Sequence, residues 1–235
     1  MRVGVLGTVD APLLGYLLRE LLREDVAISA VILDAKGQNP RDHVIHEERT
    51  AGRMPPIPLE TFEEALVPFY IVGDHRSAST VRLVRESSLD LLVNGGTPRI
   101  LTRDLLEAVS AGVVNCHPGL LPRFRGCTCV EWAIYLDEPV GNTIHFMDER
   151  IDEGPIVMQE ATALSTKDTY VDVRIKVYDH GHALMARAVR SIVDKQATRA
   201  SLPLQGPGTY FGVIEEENMR IVVDKLARGA YRFQE

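Results

Sequence analysis

An α/β layer fold is predicted by three features of the 235-residue sequence. Short apolar segments alternate with longer amphipathic ones, the pattern of strands feeding helices. Runs such as "VAISAVILD" (26–34) and "DLLVNGG" (90–96) are apolar at almost every position, as buried strands are. Glycine, proline and polar clusters punctuate the joins, and no repeat, heptad or low-complexity linker breaks the alternation.

In chain order, "RVGVLG" (2–7) is the first strand. "APLLGYLLRELLRE" (11–24) follows as a helix with leucines at helical spacing, and Pro12 falls in its first turn, where proline is tolerated. After the strand at 26–34, residues 35–60 are Pro-rich and polar, irregular around a short helix near 42–51. "PFYIVGD" (68–74) is a short strand, and the helix at 76–88 is capped by Ser77 or a neighbour. The strand at 90–96 ends in paired glycines. "TRDLLEAV" (102–109) opens with Thr and an early acid, as helix starts do. "GVVNCH" (112–117) is a strand, "CTCVEWAIYL" (127–136) a helix, and "GNTIHFMD" (141–148) and "PIVMQEATAL" (155–164) alternate as strands. Residues 168–195 carry the longest helical pattern, and 201–235 is a Gly/Pro-broken extension.

Composition narrows the function. No apolar run is long enough to span a bilayer, and "MRVGVLGTVD" is a strand rather than a signal peptide. A formal charge of −7 argues against nucleic acid as a partner. Cys116, Cys127 and Cys129 are odd in number and lack structural-zinc spacing, so plain thiols in a reduced, cytoplasmic setting are expected. Gly4 and Gly7 follow a strand–turn–helix outline but supply no G-x-G-x-x-G, and there is no Walker A run, so neither NAD nor ATP is expected.

Ligands of open α/β sheets bind outside the carboxyl ends of the strands. Three polar features fall there: "NCHPG" (115–119), "NGGTPRIL" (94–101) and "MDERIDEGPIV" (147–157). Asn115 and His117 share one strand face because side chains alternate. Each feature alone reads as an ordinary turn; the sharper reading rests on their occurring together in this order.

"NCHPGLLPRFRG" (115–126) followed by "GNTIHFMDERIDEGPIV" (141–157), with "GGTPRIL" (95–101) upstream, resembles the folate-dependent formyltransferase family. That family takes in glycinamide ribonucleotide transformylase, methionyl-tRNA formyltransferase and the sugar N-formyltransferases. The resemblance implies a formyltransferase-type doubly wound, mostly parallel (Rossmann-like) sheet with helices on both faces. It implies a catalytic domain over 1–200 and a short C-terminal extension over 201–235, a candidate hairpin or dimer contact. By resemblance, Asn115, His117 and Asp152 match the catalytic trio. Gly96, Arg99, Ile100 and Leu101 match one wall of the folate cleft, and Asp148, Glu149, Arg150 and Ile151 the other. The implied co-substrate is 10-formyltetrahydrofolate, with no metal.

Formyl transfer to an amine is acyl transfer through a tetrahedral oxyanion, so it needs an oxyanion donor and a proton path but no enzyme nucleophile. Asn115 suits the donor, His117 the proton carrier and Asp152 its partner; a nearby carboxylate is expected to keep His117 charged near neutral pH. Gly119 stands where the family usually has Ser and is expected to loosen the turn. His43 and His46 are expected on solvated helix surface, His145 behind the site, and His180 and His182 as structural or exposed residues. Trp132 is expected in the core.

The expected acceptor is a small primary amine, best a nucleotide-linked amino sugar, with Arg76, Arg123 and Arg125 as candidate diphosphate ligands. The tRNA enzyme is disfavoured by chain acidity and by the short stretch after residue 200. The glycinamide ribonucleotide enzyme is disfavoured because its Gly-Ser-Gly-Thr-Asn phosphate loop is replaced by "GTVDAP" (7–12). A formyltetrahydrofolate hydrolase, using water on the same trio, and a glycinamide ribonucleotide transformylase-like enzyme of purine synthesis are the alternatives.

Overall fold

The computed structural model describes residues 1–62 and 64–234. The main sheet holds β1 (Val3–Thr8), β2 (Ile28–Asp34), β3 (Phe69–Val72), β4 (Leu91–Asn94), β5 (Gly112–His117), β7 (Gly141–Phe146) and β8 (Ile156–Ala161). Their order is β3-β2-β1-β4-β5-β7-β8. The first five strands are parallel, and β7 and β8 run antiparallel to their neighbours. The chain starts in the middle, winds out to β3, and returns beside β1 as β4. At that reversal the carboxyl ends of β1 and β4 flank a crevice.

The period-2 alternation of the strands divides the core. Val3 and Val5 pack with Leu14, Leu17 and Leu21 of α1 (Leu14–Arg23) and with Leu184 and Val189 of α6 (Tyr170–Val193). Leu6, Ile32 and Leu92 face the other way, onto Val81 and Val84 of α3 (Ala78–Glu86) and Leu105 of α4 (Arg103–Leu106). The doubly wound reading holds.

Differences are local. Helix α1 starts at Leu14, because Ala11 to Leu13 form a turn whose carbonyl at Ala11 accepts from Leu14. Helix α2 runs from Pro40 to Thr50, with the Asn39 side chain accepting from the Arg41 N–H and Pro40 at the first position, where its missing N–H costs nothing. Ser77 caps α3 by accepting from Thr80. Trp132, on α5 (Cys129–Tyr135), is half-buried rather than fully in the core, and its indole N–H donates to the Gly212 carbonyl at 2.9 Å.

Among the described residues the C-terminal extension forms no hairpin. It supplies β9 (Thr209–Phe211), parallel to β6 (Phe124–Gly126), and α7 (Glu216–Ala227). Val222, Leu226 and Tyr231 are buried with Phe124, Val130 and Ile134 in a third apolar cluster. The Tyr231 hydroxyl donates to the Glu138 carbonyl at 2.6 Å and accepts from the Val140 N–H at 3.2 Å. Burial of this segment makes it part of the core of the third cluster. Leu226→Ala should therefore lower unfolding free energy by about 2–5 kcal/mol in urea titration, the cost of a buried cavity; a change near zero would mean that the extension adds nothing to the fold.

Candidate active site

Strand β5 carries Asn115 and His117 on one face, and antiparallel pairing sets Asn115 opposite His145 and His117 opposite Thr143. The Asn94 side-chain N–H, from the end of β4, donates to Asn115 Oδ1 at 2.9 Å. On the other side Asn115 Nδ2 lies 3.3 Å from His145 Nε2. His145 Nδ1 is 3.0 Å from the Phe146 carbonyl and must donate to it, so Nε2 is the acceptor for Asn115. The amide cannot flip without losing both partners. One N–H of Asn115 remains unspent, beside the crevice.

His117 Nε2 donates to the Phe124 carbonyl at 2.7 Å, and its Nδ1 faces Asp152 Oδ2 at 3.4 Å. Asp152 Oδ1 lies 3.7 Å from His145 Nε2. The structure thus brings the three predicted side chains and His145 into one buried cluster. Asp152 adopts a left-handed backbone, φ 57°, in the tight β7–β8 loop. A Cβ on Gly154 would sit 1.8 Å from the Phe146 carbonyl, so the loop closes against β7 only with glycine there.

Burial reverses one expectation. His117 is almost fully enclosed, and desolvation lowers its pKa below the ordinary histidine value; Asp152 and the Phe124 carbonyl oppose that only in part. That shift favours the neutral imidazole over the expected charged one. His145 is lowered for the same reason.

Gly119 is likewise no loosened turn. A Cβ at this position would meet His117 Nε2 at 2.8 Å, Cys129 Cβ at 2.9 Å and the Phe124 carbonyl at 2.9 Å. Its absence lets the His117 ring fold onto that carbonyl.

The C-terminal extension braces the Asp152 loop. Buried Arg125 donates to the Asp152 carbonyl at 3.1 Å and to the Gly206 carbonyl at 3.0 Å. The Gln205 amide donates to the Gly154 carbonyl at 2.6 Å, and Tyr210 donates toward the loop through its hydroxyl. Arg125 is therefore structural here. Arg76 pairs with Asp74 and Arg123 with Glu138, and none of the three arginines offered for a diphosphate lines the crevice.

Gly96 borders the crevice; Arg99, Ile100, Leu101 and Asp148 to Ile151 lie outside its wall. Arg99 is clamped through Nε (2.7 Å) and Nη2 (3.0 Å) to buried Asp34, which also accepts from the His75 N–H and fixes the 97–101 segment. On the two segments the resemblance assigns to folate, Ile100 and Ile151 stand 77% and 59% exposed, apolar side chains without cover, while Leu101 is buried. Asp148 accepts from the Arg150 N–H, Arg150 pairs with Glu153, and Glu149 lies near Arg103. An apolar wall of this kind suits a flat heterocycle.

The crevice itself is a cavity of about 410 Å³ between the sheet end, α1, α2 and α6, and Asn115 forms part of its wall. His46 and His182 line it, contrary to the expectation of solvated or structural roles. His43 instead pairs with Asp10 at 2.9 Å, and His180 bonds Asn142 and Thr162. Tyr178, Gly181 and His182 reach it together because residues three and four apart share a helix face. That spacing was the sequence signal for an α6 wall. Asp42, Ile45, His46 and Arg49 share a face of α2 by the same spacing.

Gly119→Ala should lower kcat by about 10–100-fold, because the displaced imidazole leaves its productive position. Equal kcat in the variant, measured by steady-state kinetics on folded protein, would separate the Gly119 contact from catalysis.

Residues 1–189 match the family model described as "Formyl transferase". The methionyl-tRNA formyltransferase of Fusobacterium nucleatum is 28% identical over 165 residues, 70% of this chain and 53% of that protein. The mitochondrial 10-formyltetrahydrofolate dehydrogenase of Mus musculus is 26% identical over 188 residues, covering 77% of this chain and 20% of its own. The chain thus spans about half and a fifth of these two relatives. A sugar N-formyltransferase from Shewanella sp. FDAARGOS_354 superposes with a TM-score of 0.62 at 20% identity over 97% of this chain and 88% of its own, a likeness of fold. Because the matched residues take in every strand of the main sheet, the chain belongs to the formyl transferase family.

Proposed function

We propose that this protein moves a formyl group from 10-formyltetrahydrofolate to the primary amine of a small molecule, with Asn115, His117 and Asp152 carrying the chemistry. The observation that carries this reading is the Asn115 amide, fixed by Asn94 and His145 with one N–H left over at the mouth of the cavity. That N–H is a preorganised donor for an oxyanion formed on the formyl carbon.

A C–N bond forms to the incoming amine and one breaks to the folate nitrogen, so the proton lost by the amine equals the proton gained by the leaving group. His117 Nε2 is committed to the Phe124 carbonyl, which leaves Nδ1, beside Asp152, as the atom where a proton is gained or given. Asp152 accepts the amine proton directly or through water and shares it with Nδ1. Folate fits the exposed apolar side chains Ile100 and Ile151 on the two loops beside the trio.

Transfer is favoured over hydrolysis by the cavity. Water needs no room of about 410 Å³ with Leu13, Leu17, Ile45 and Met185 in its wall, whereas an amine acceptor does. An amino-sugar nucleotide remains one acceptor to try, supported by resemblance and no longer by Arg76, Arg123 or Arg125.

Purified protein with 10-formyltetrahydrofolate should turn over only when an amine is added, in a panel of amino-sugar nucleotides, small amines and methionyl-tRNA. Turnover without amine would establish the hydrolase instead. Asn115→Ala should lower kcat about 10²–10³-fold. Asp152→Asn should lower it about 10²–10⁴-fold and move the acid limb of the pH–rate profile to lower pH. The sign follows from the electrostatics: the neutral imidazole is present above its lowered pKa and lost as pH falls through it, and removing the carboxylate that partly holds that pKa up lowers it further. An Asp152→Asn profile identical to the parent would remove Asp152 from the proton path.

A further inference from the structure

Arg49 and Tyr178, on the cavity wall, belong to a charged cluster that lies behind them. Arg49, on the last turn of α2, lies 3.4 Å from Glu131 Oε1. Glu131 is buried on α5 and also faces Arg174 of α6 at 3.5 Å. The Tyr170 hydroxyl donates to the same Glu131 oxygen at 2.6 Å. Two guanidinium groups therefore share one carboxylate, which leaves this cluster with one surplus positive charge. Arg174 is fully enclosed; Arg49 is half-buried and lines the cavity.

Tyr178 stands beside them on the cavity wall. Its hydroxyl accepts from Arg174 at 2.8 Å and keeps its own proton to give. Burial pushes that hydroxyl's pKa up, but the two guanidinium groups bring it net below the usual tyrosine value, a sign of the positive field of this cluster. The one acid on the wall, Asp42, lies seven residues earlier on α2, about 10 Å along the helix axis, and is exposed. The same wall includes Asn115 and the apolar Leu13, Leu17, Ile45, Val177 and Met185.

The loop after β1 offers no anion a home. Asp10 accepts from the Gln38 N–H and pairs with His43, so a carboxylate occupies the place where the family's glycinamide ribonucleotide member carries a phosphate loop.

We infer that the acceptor is an amine carrying an anionic group at its far end, a carboxylate or a phosphate, and that Arg49 with the Tyr178 hydroxyl binds that anion while the amine reaches Asn115. This rests on the transfer reading for the amine end only. A guanidinium and a hydroxyl donor match either anion, and a partly desolvated charge-assisted contact gives strong discrimination against a ligand lacking it.

The test uses three matched probes without folate: benzylamine, 4-(aminomethyl)benzoate and 4-(aminomethyl)phenyl phosphate, with binding measured by saturation-transfer NMR and titration calorimetry. The wild-type protein should bind at least one anionic probe about tenfold or more tighter than benzylamine. Whichever binds tighter separates carboxylate from phosphate. Arg49→Met should abolish the preference, and Arg49→Lys, which keeps the charge and loses the fork, should restore part of it. Equal binding of all three probes, no binding of any, or a preference that survives in Arg49→Met would overturn the assignment. Formyl transfer to the same amines is measured separately; a preserved anion preference without transfer would sink the transfer reading and leave the anion site standing.

Discussion

The antiparallel register between β5 and β7 is the constraint on which the site depends. It places Asn115 across from His145 and His117 across from Thr143. Thr143 Oγ1 donates to the Gly119 carbonyl at 2.6 Å and accepts from the Leu121 N–H at 3.1 Å, so the same register holds the turn after His117. A slip of one residue would turn Asn115 and His117 to the opposite face together. Pairing of Phe146 with Val114 leaves the end of β7 beside the start of β5, and the β7–β8 loop folds back from there to set Asp152 beside His117.

Around that register, desolvation and Coulomb attraction compete, with different winners at two places. At His117 the burial is nearly complete and the single carboxylate lies 3.4 Å away without a direct hydrogen bond, so the neutral imidazole prevails. At Glu131 burial is as deep, yet two guanidinium groups and a tyrosine hydroxyl converge on the carboxylate and its pKa is net lowered. The number of partners decides, since burial penalises a charge whether it is acid or base.

Much of this was legible in the sequence. The bounds of β5, the alternation of Asn115 and His117 with Cys116 and the placing of three polar motifs at strand ends follow from periodicity and turn chemistry, which are local. What escaped was set by partners far apart in the chain. Arg99 reaches Asp34 across 65 residues, Arg125 reaches Gly206 across 81, and Arg49 meets Glu131 across 82. An arginine gives no local sign of which carboxylate will claim it. The neutrality of His117 escaped for the same reason, because depth of burial belongs to the tertiary fold. Helix α7 did carry a sign: Val222 and Leu226 lie four apart behind Glu216 and Glu217, but the glycines and prolines before them dominated the reading.

Asp10 has a consequence for how selectivity in this chain can change. Its carboxylate ties the loop after β1 to the segment entering α2 through Gln38 and His43. An anion site made of backbone N–H groups is a property of loop shape, and altering its preference means rebuilding the loop. In this chain the inferred recognition of charge rests on one arginine side chain of a surface helix, while an acid holds the loop after β1. A single codon therefore separates one acceptor preference from another, and drift at that position would redirect the enzyme without disturbing the sheet end where the formyl group is handled.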